Sequence, residues 1–142
     1  MISVTHLHPM VVHFPIALII VGFAADFLGL FLKNETWLPK AAFWLMLLGF
    51  LSAVVAFCTG YFFTSPMEGD PGIVRERHEL FAVLTLIAIS LSAIFRTVIV
   101  IMKKDETRLK YISLGIYFLA FALVSVTGYI GGSLVMDYLI GM

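Results

Sequence analysis

The sequence predicts an all-α integral membrane protein, a four-helix bundle whose helices run alternately up and down. Hydrophobic residues make up 61% of the chain and charged residues only 13%, whereas a water-soluble domain carries about a quarter charged residues. The apolar residues form four blocks, each at least as long as the ~20 residues that a helix needs to cross a bilayer. Open strands cannot satisfy their backbone groups in lipid, so helices are the expected elements.

The four blocks predict helices over about residues 10–32, 41–63, 79–102 and 111–139. These helices use nearly all of the chain, so we expect a single transmembrane domain over residues 1–142. The connections carry turn-forming residues, with Asn34 and Pro39 around the first and Asp70-Pro71-Gly72 in the second. Short connections of this kind place consecutive helices side by side and antiparallel.

Lys and Arg residues are unevenly divided between the two ends of the predicted bundle. Six lie in the first and third connections, between Lys33 and Lys40 and between Lys103 and Lys110, whereas the second connection carries only Arg75 and Arg77. Short loops rich in Lys and Arg stay in the cytoplasm. We therefore expect a bacterial cytoplasmic membrane protein with both termini and the second connection on the outer, periplasmic side.

Two opposite charges interrupt the apolar blocks at matching depths. Asp26 and Arg96 each lie seven residues before a lysine at the inner end, Lys33 and Lys103, and so both lie about 10 Å inside the boundary at ~1.5 Å rise per residue. A lone charge at this depth costs at least ~2.5 to 3.5 kcal/mol. The matching depths therefore predict a structural ion pair between Asp26 and Arg96.

Small and polar residues recur on one face of the second and third helices, at alternating spacings of four and three. Such faces turn inward in membrane bundles, because small residues let helices approach and hydroxyls bond across the interface. The residues are Gly49, Ala53, Ala56 and Gly60 in the second helix, and His78, Ala82, Thr85, Ile89, Ser92 and Arg96 in the third.

The four histidines all lie near the outer ends of helices: His6, His8 and His13 at the first, His78 at the third. Three uses of such imidazoles remain open. They are axial ligation of a b-type haem, a zinc or copper site built from these four side chains, and a purely structural polar cluster. If Asp26 and Arg96 share a depth, His78 is level with His8, and pairing it with His13 requires a kink that Pro15 supplies.

Other classes of function find little support in the sequence. The only cysteine, Cys58, has no partner for a disulfide, and no serine or cysteine has an evident base and orienting residue for hydrolysis. The basic residues form short loop clusters rather than a nucleic-acid-binding surface. We therefore expect neither a hydrolytic enzyme nor a nucleic-acid-binding protein, and the three uses of the histidines stay open at this point.

Two motifs resemble the bacterial membrane family called domain of unknown function 2231. They are the run from His8 to Leu18, which contains a His-Pro pair and Val12-His13-Phe14-Pro15, and the run Thr127-Gly128-Tyr129-Ile130-Gly131-Gly132-Ser133-Leu134-Val135. Asp26 and His78 belong to the same resemblance, which covers the whole chain. Related chains are sometimes joined to Rieske or c-type haem domains, and the resemblance therefore implies a redox role.

With this resemblance, we expect a small cytochrome-like module that holds haem b near the outer face. It would pass electrons between a quinol or other membrane partner and a periplasmic acceptor such as a c-type cytochrome or a Rieske protein. His13 and His78 are the expected axial ligands, with His8 as a substitute, and a homodimer is a further expectation. The alternatives are a non-redox protein with a zinc or copper site made by His6, His8, His13 and His78, and a structural membrane subunit.

Overall fold

The computed structural model describes residues 7–104 and 108–140 and confirms the all-α bundle. Four segments are long and apolar enough to cross a membrane: Leu7–Leu28, Trp37–Phe63, Gly69–Ile101 and Leu109–Tyr138. The helices are α1 (Leu7–Val11), α2 (His13–Leu28), α3 (Trp37–Phe63), α4 (Gly69–Ile101) and α5 (Leu109–Val135), and a π-helical turn follows over Met136–Ile140.

A proline occupies the third residue of each of the first four helices: Pro9, Pro15, Pro39 and Pro71. The backbone N–H groups of a first turn have no intrahelical partner, so the missing N–H of proline costs no hydrogen bond there. Val12 separates α1 from α2, because Pro15 cannot donate a hydrogen bond to the carbonyl one turn earlier. The first crossing is therefore interrupted near its start.

Helix α4 begins at Gly69, ten residues before the expected start at 79. The expected loop over residues 64–77 is thus only residues 64–68. Asp70 and Pro71, which indicated a turn in the sequence, form the first turn of α4, where an acidic side chain favours the helix N-terminus. The other bounds shift less: α2 ends at Leu28 rather than 32, and α3 begins at Trp37 rather than 41.

The helices pack as two hairpins, α2 with α3 and α4 with α5, and smaller contacts join α2 to α5 and α3 to α4. Each long helix therefore has two neighbours, and α2 lies diagonally opposite α4. We call the end of the bundle that carries His8 and His78 the histidine end, and the end that carries Asp26 and Arg96 the ion-pair end.

The interior is built from small side chains and the exterior from large apolar ones. Seven of the buried hydrophobic residues are alanines, whereas Phe14 and Ile94 are more than 60% exposed. Lipid is as apolar as leucine, so helix association in a membrane depends on close packing through small residues. The inward face predicted for α4 is confirmed at Thr85, Ile89, Ser92 and Arg96, all of which are buried.

The two hairpins repeat one packing pattern. Buried positions of α2 and α4 correspond at a separation of 70 residues, and those of α3 and α5 at 71. The pairs are Pro15 and Thr85, Ile19 and Ile89, Gly22 and Ser92, Asp26 and Arg96, Ala42 and Ser113, Met46 and Tyr117, Gly49 and Ala120, and Ala53 and Val124. Parallel repeats of this kind are related by an axis along the membrane normal. Facing residues across the bundle are therefore equivalent residues of the two halves.

Replacement of a central residue tests this arrangement. Ile89 is fully buried and Ile94, on the same helix, is 64% exposed. We expect Ile89→Ala to lower the free energy of unfolding by roughly 1 to 3 kcal/mol, because it opens a cavity while lipid contributes no transfer term. Ile94→Ala is the matched control and should change stability little. Unfolding in mixed detergent micelles measures both, and equal effects would contradict the assigned core.

Candidate functional site

His8 and His78 meet at the centre of the histidine end. His8 lies on α1 and His78 on α4, on opposite sides of the bundle, and their ring centroids are 6.1 Å apart with an interplanar angle of 75°. Both side chains are half-buried. Residues 8 and 78 are separated by 70 positions, like the buried pairs below them, so the two imidazoles are equivalent residues of the two hairpins.

Each imidazole is oriented by a backbone carbonyl of the neighbouring helix. Nδ1 of His8 lies 3.0 Å from the Ala56 carbonyl oxygen, and Nδ1 of His78 lies 3.2 Å from that of Thr127. A carbonyl oxygen only accepts, so Nδ1 carries the proton and donates in both rings. In a neutral imidazole, Nε2 then keeps a lone pair that can bind a metal.

Glycines on α3 and α5 make room for the two rings. A Cβ atom at position 60 would lie 2.8 Å from Cε1 of His8, and one at position 131 would lie 2.9 Å from Cε1 of His78. Both distances are too short for any residue but glycine unless the rings shift. Gly60 and Gly131 each follow the accepting carbonyl by four residues, one helical turn, so both hairpins hold their histidine in the same way.

A small cavity of about 60 Å³ lies at the two imidazoles. Its walls are mostly apolar, and several are small: besides His8 and His78 they comprise Val12, Pro15, Ala53, Ala56, Phe57, Ala82, Thr85 and Val124. The Thr85 hydroxyl lies 2.9 Å from that of Thr127, and each hydroxyl is also within hydrogen-bond distance of a carbonyl of its own helix, Phe81 for Thr85 and Leu123 for Thr127. Each hydroxyl has one proton, so one of the two donates to the other threonine or both donate to the carbonyls.

His13 does not join this pair. Its side chain is exposed on the outside of the bundle, whereas the sequence favoured it over His8 as the partner of His78. Positions 8 and 13 are five residues apart, which turns a helix by roughly 140° beyond a full turn, and the break at Val12 does not bring residue 13 back to the centre. His8 is the partner instead, and it lies at the same depth as His78, as counting residues from Asp26 and Arg96 predicts. His6 lies outside the described residues.

A metal site with three protein ligands is not present among residues 7–104 and 108–140. No three His, Cys, Asp or Glu side chains gather there as possible ligands of one ion. Asp70, Glu76 and Glu79, the acidic residues nearest to His78 in the sequence, are exposed. The part of the chain that the structure describes thus offers a pair of imidazoles rather than a tetrahedral ligand set.

At the other end, Asp26 and Arg96 form the ion pair that their matching depths predict. Arg96 Nη2 lies 3.5 Å from Asp26 Oδ1, and both side chains are 1% exposed. Three further buried hydroxyls lie at neighbouring levels, and in the described structure those of Ser92, Ser113 and Tyr117 have no hydrogen-bond partner. The polar groups of the ion-pair end are therefore concentrated in two adjacent levels of the core.

Sequence reasoning missed the groups that orient the histidines. Ala56 and Thr127 act through backbone carbonyls, which leave no residue signature. The sequence indicated only a packing role for Gly60 and Gly131. Each lies one helical turn after the residue whose carbonyl accepts from a histidine, and the two glycines are separated by 71 positions. That repeated spacing is the signal that could have identified them.

The family model described as "Predicted membrane protein (DUF2231)" matches residues 5–142 of the chain. The chain belongs to this family. No curated protein and no solved structure matches the sequence of this chain. Both runs that carry the resemblance to DUF2231 contain groups of the histidine pair: His8 opens the first run, and Thr127 and Gly131 lie in the second. With its four candidate spans, this DUF2231 chain is a multi-pass membrane protein.

Exchange of the two charges tests the ion pair of this DUF2231 chain. Asp26→Arg alone and Arg96→Asp alone each bury two like charges, and we expect loss of about 3 to 5 kcal/mol of stability from either. The double exchange restores opposite charges and should recover a large part of that loss. Thermal unfolding after purification in detergent measures the three variants. If the double variant is no more stable than the less stable of the two single variants, Asp26 and Arg96 are not partners.

Proposed function

We propose that the chain is a small membrane module that binds haem b at the histidine end and takes part in electron transfer. His8 and His78 are the axial ligands in this proposal, each through Nε2. The observation that carries it is the pair of facing imidazoles whose Nδ1–H groups donate to the Ala56 and Thr127 carbonyls. Metal-ligating histidines almost always have their other ring nitrogen held in this way.

The spacing of the rings supports ligation of one iron atom by both. An imidazole nitrogen binds a metal at about 2.0–2.1 Å, so the centroids of two rings on opposite sides of one ion lie roughly 6 to 6.5 Å apart. The centroids of His8 and His78 are 6.1 Å apart. The separation of the two rings is therefore close to that of two imidazoles bound to one metal ion.

Several residues around the two imidazoles are small, namely Ala53, Ala56 and Gly60 on α3 and Gly131 on α5. The cavity at the two rings is about 60 Å³, so it must widen to take a haem. Phe57 and Val124 also line this cavity and would move when it widens.

When bound, haem supplies one-electron redox chemistry. His8 and His78 would hold the iron, and a site with two imidazole ligands would support electron transfer rather than oxygen chemistry. The walls around the two imidazoles are mostly apolar. The proposed partners are a quinol or another membrane donor and an acceptor such as a c-type cytochrome or a Rieske protein, with a second copy of the chain as a further candidate.

The proposed orientation follows from the loops. Lys33, Lys40 and the basic residues from Lys103 to Lys110 flank the ion-pair end, and loops of this kind stay in the cytoplasm. The histidine end then faces the periplasm across a bacterial cytoplasmic membrane, where a soluble acceptor could reach the haem edge.

A bound copper or zinc ion is the second candidate. The cavity at the imidazoles holds a single ion without widening, and two neutral imidazoles are suitable ligands for either metal. Zinc normally takes four ligands, so the pair would need waters or ligands beyond the described residues, among them His6. In this alternative the chain is a metal-binding membrane subunit without a redox partner.

Haem titration of the purified protein tests the primary proposal. We expect wild type to give a reduced-minus-oxidised spectrum of a low-spin, bis-imidazole haem. His8→Ala and His78→Ala should each lose that spectrum because one axial ligand is gone. His13→Ala is the matched control, since its side chain is exposed on the same segment, and it should bind haem as wild type does.

Absence of any haem spectrum in reconstituted wild type would refute the haem proposal. Full absorbance in both His8→Ala and His78→Ala would refute the ligand assignment. Copper and zinc content, measured in the same wild-type sample before haem is added, then decides whether the second candidate applies.

Cysteine labelling tests the orientation. In a Cys58→Ser background, Ser65→Cys and Asn34→Cys place single thiols in exposed loops at the two ends. We expect a membrane-impermeant maleimide to label the cysteine at 65 in intact cells and the one at 34 only after the membrane is permeabilised. The reverse pattern would place the histidine end in the cytoplasm.

A further inference from the structure

Arg75 lies on α4 about one helical turn before His78, on the side away from the ion-pair end. Helix α4 begins at Gly69, so its first two turns extend beyond His78. Arg75 precedes His78 by three residues, a spacing that places two side chains on the same face of a helix. The Arg75 side chain therefore shares the helix face that carries the His78 imidazole.

Two contacts hold the Arg75 guanidinium in place. Its Nη2 lies 2.8 Å from Glu79 Oε1 and donates to Thr64 Oγ1 at 3.3 Å. Thr64 follows Gly60 by four residues, and Gly60 is the residue against which His8 packs. The guanidinium thus joins the ends of α4 and α3 just above both halves of the histidine site.

The Arg75 side chain is much less exposed than that of the neighbouring Arg77. Its side chain is exposed, whereas the Arg75 side chain is only 19% exposed. An exposed ion pair such as the one with Glu79 contributes about 0 to 1 kcal/mol to stability. The ion pair alone therefore does not explain why the Arg75 side chain is held against the helix ends. The contacts with Glu79 and Thr64 both use Nη2, and a guanidinium has five N–H donors.

We infer that Arg75 binds a carboxylate of the ligand held by His8 and His78, which for haem b is a propionate; this inference rests on the proposed function. Glu79 already demonstrates that a carboxylate fits against the guanidinium. The Glu79 side chain is 57% exposed, so it can turn into solvent when a propionate takes its place. Arginine is well suited to this role because its planar fork matches the geometry of a carboxylate.

Titration with two forms of haem tests this assignment. Haem b carries two free propionates, and its dimethyl ester carries none. We expect Arg75→Gln to weaken binding of haem b by roughly ten- to a hundredfold, the loss typical of a charge-assisted hydrogen bond, and to leave binding of the dimethyl ester unchanged. Arg77→Gln is the matched control and should bind both forms like wild type.

Glu79→Gln gives a readout in the opposite direction. Removal of the competing carboxylate should tighten the binding of haem b and leave the dimethyl ester unaffected, and this variant stays informative if Arg75→Gln fails to fold. If wild type binds haem b but Arg75→Gln and Arg77→Gln bind it equally, the assignment of Arg75 is wrong while the proposed function stands. If wild type binds neither form of haem, both are wrong.

Discussion

The structure depends on one constraint: polar groups inside a lipid-embedded bundle must find their partners within the bundle. In the hydrocarbon region no water is available to satisfy them, and each unsatisfied group costs several kcal/mol. The chain meets this constraint for its imidazoles and its buried charges, which lie at two levels, whereas the buried hydroxyls of Ser92, Ser113 and Tyr117 have no partner among the described residues. The imidazoles donate to the Ala56 and Thr127 carbonyls at one end, and Asp26 pairs with Arg96 at the other.

Much of the fold was predictable because it follows from the lengths of the apolar segments and from residue counts along the chain. Hydrophobic length gives the four crossings, and residue counts give the common depth of Asp26 and Arg96. The partner of His78 was not predictable in the same way. The choice between His8 and His13 depends on which side of a short, proline-interrupted helix faces inward, and the break at Val12 alters that rotation. The start of α4 was also missed, because proline and glycine suit a first turn as well as a loop.

The repeated pattern of the two hairpins explains how facing residues become partners. Because an axis along the bundle relates equivalent positions, buried residues of α2 face their counterparts 70 positions away on α4, and those of α3 face theirs 71 positions away on α5. At the histidine end the counterparts are chemically identical, which gives two equivalent imidazoles and a symmetric site. At the ion-pair end they are complementary, since one hairpin supplies Asp26 and the other Arg96. The same geometry thus produces a pair of imidazoles at one end and a neutral ion pair at the other.

The separation of these two levels keeps their chemistry apart. His78 and Arg96 are 18 residues apart on one helix, which corresponds to about 27 Å, and the fully buried Ile19 and Ile89 lie between them. A neutral ion pair at that distance exerts little field on the imidazoles. The ion pair therefore joins α2 to α4 at one end of the bundle without altering the charge around the imidazoles at the other end.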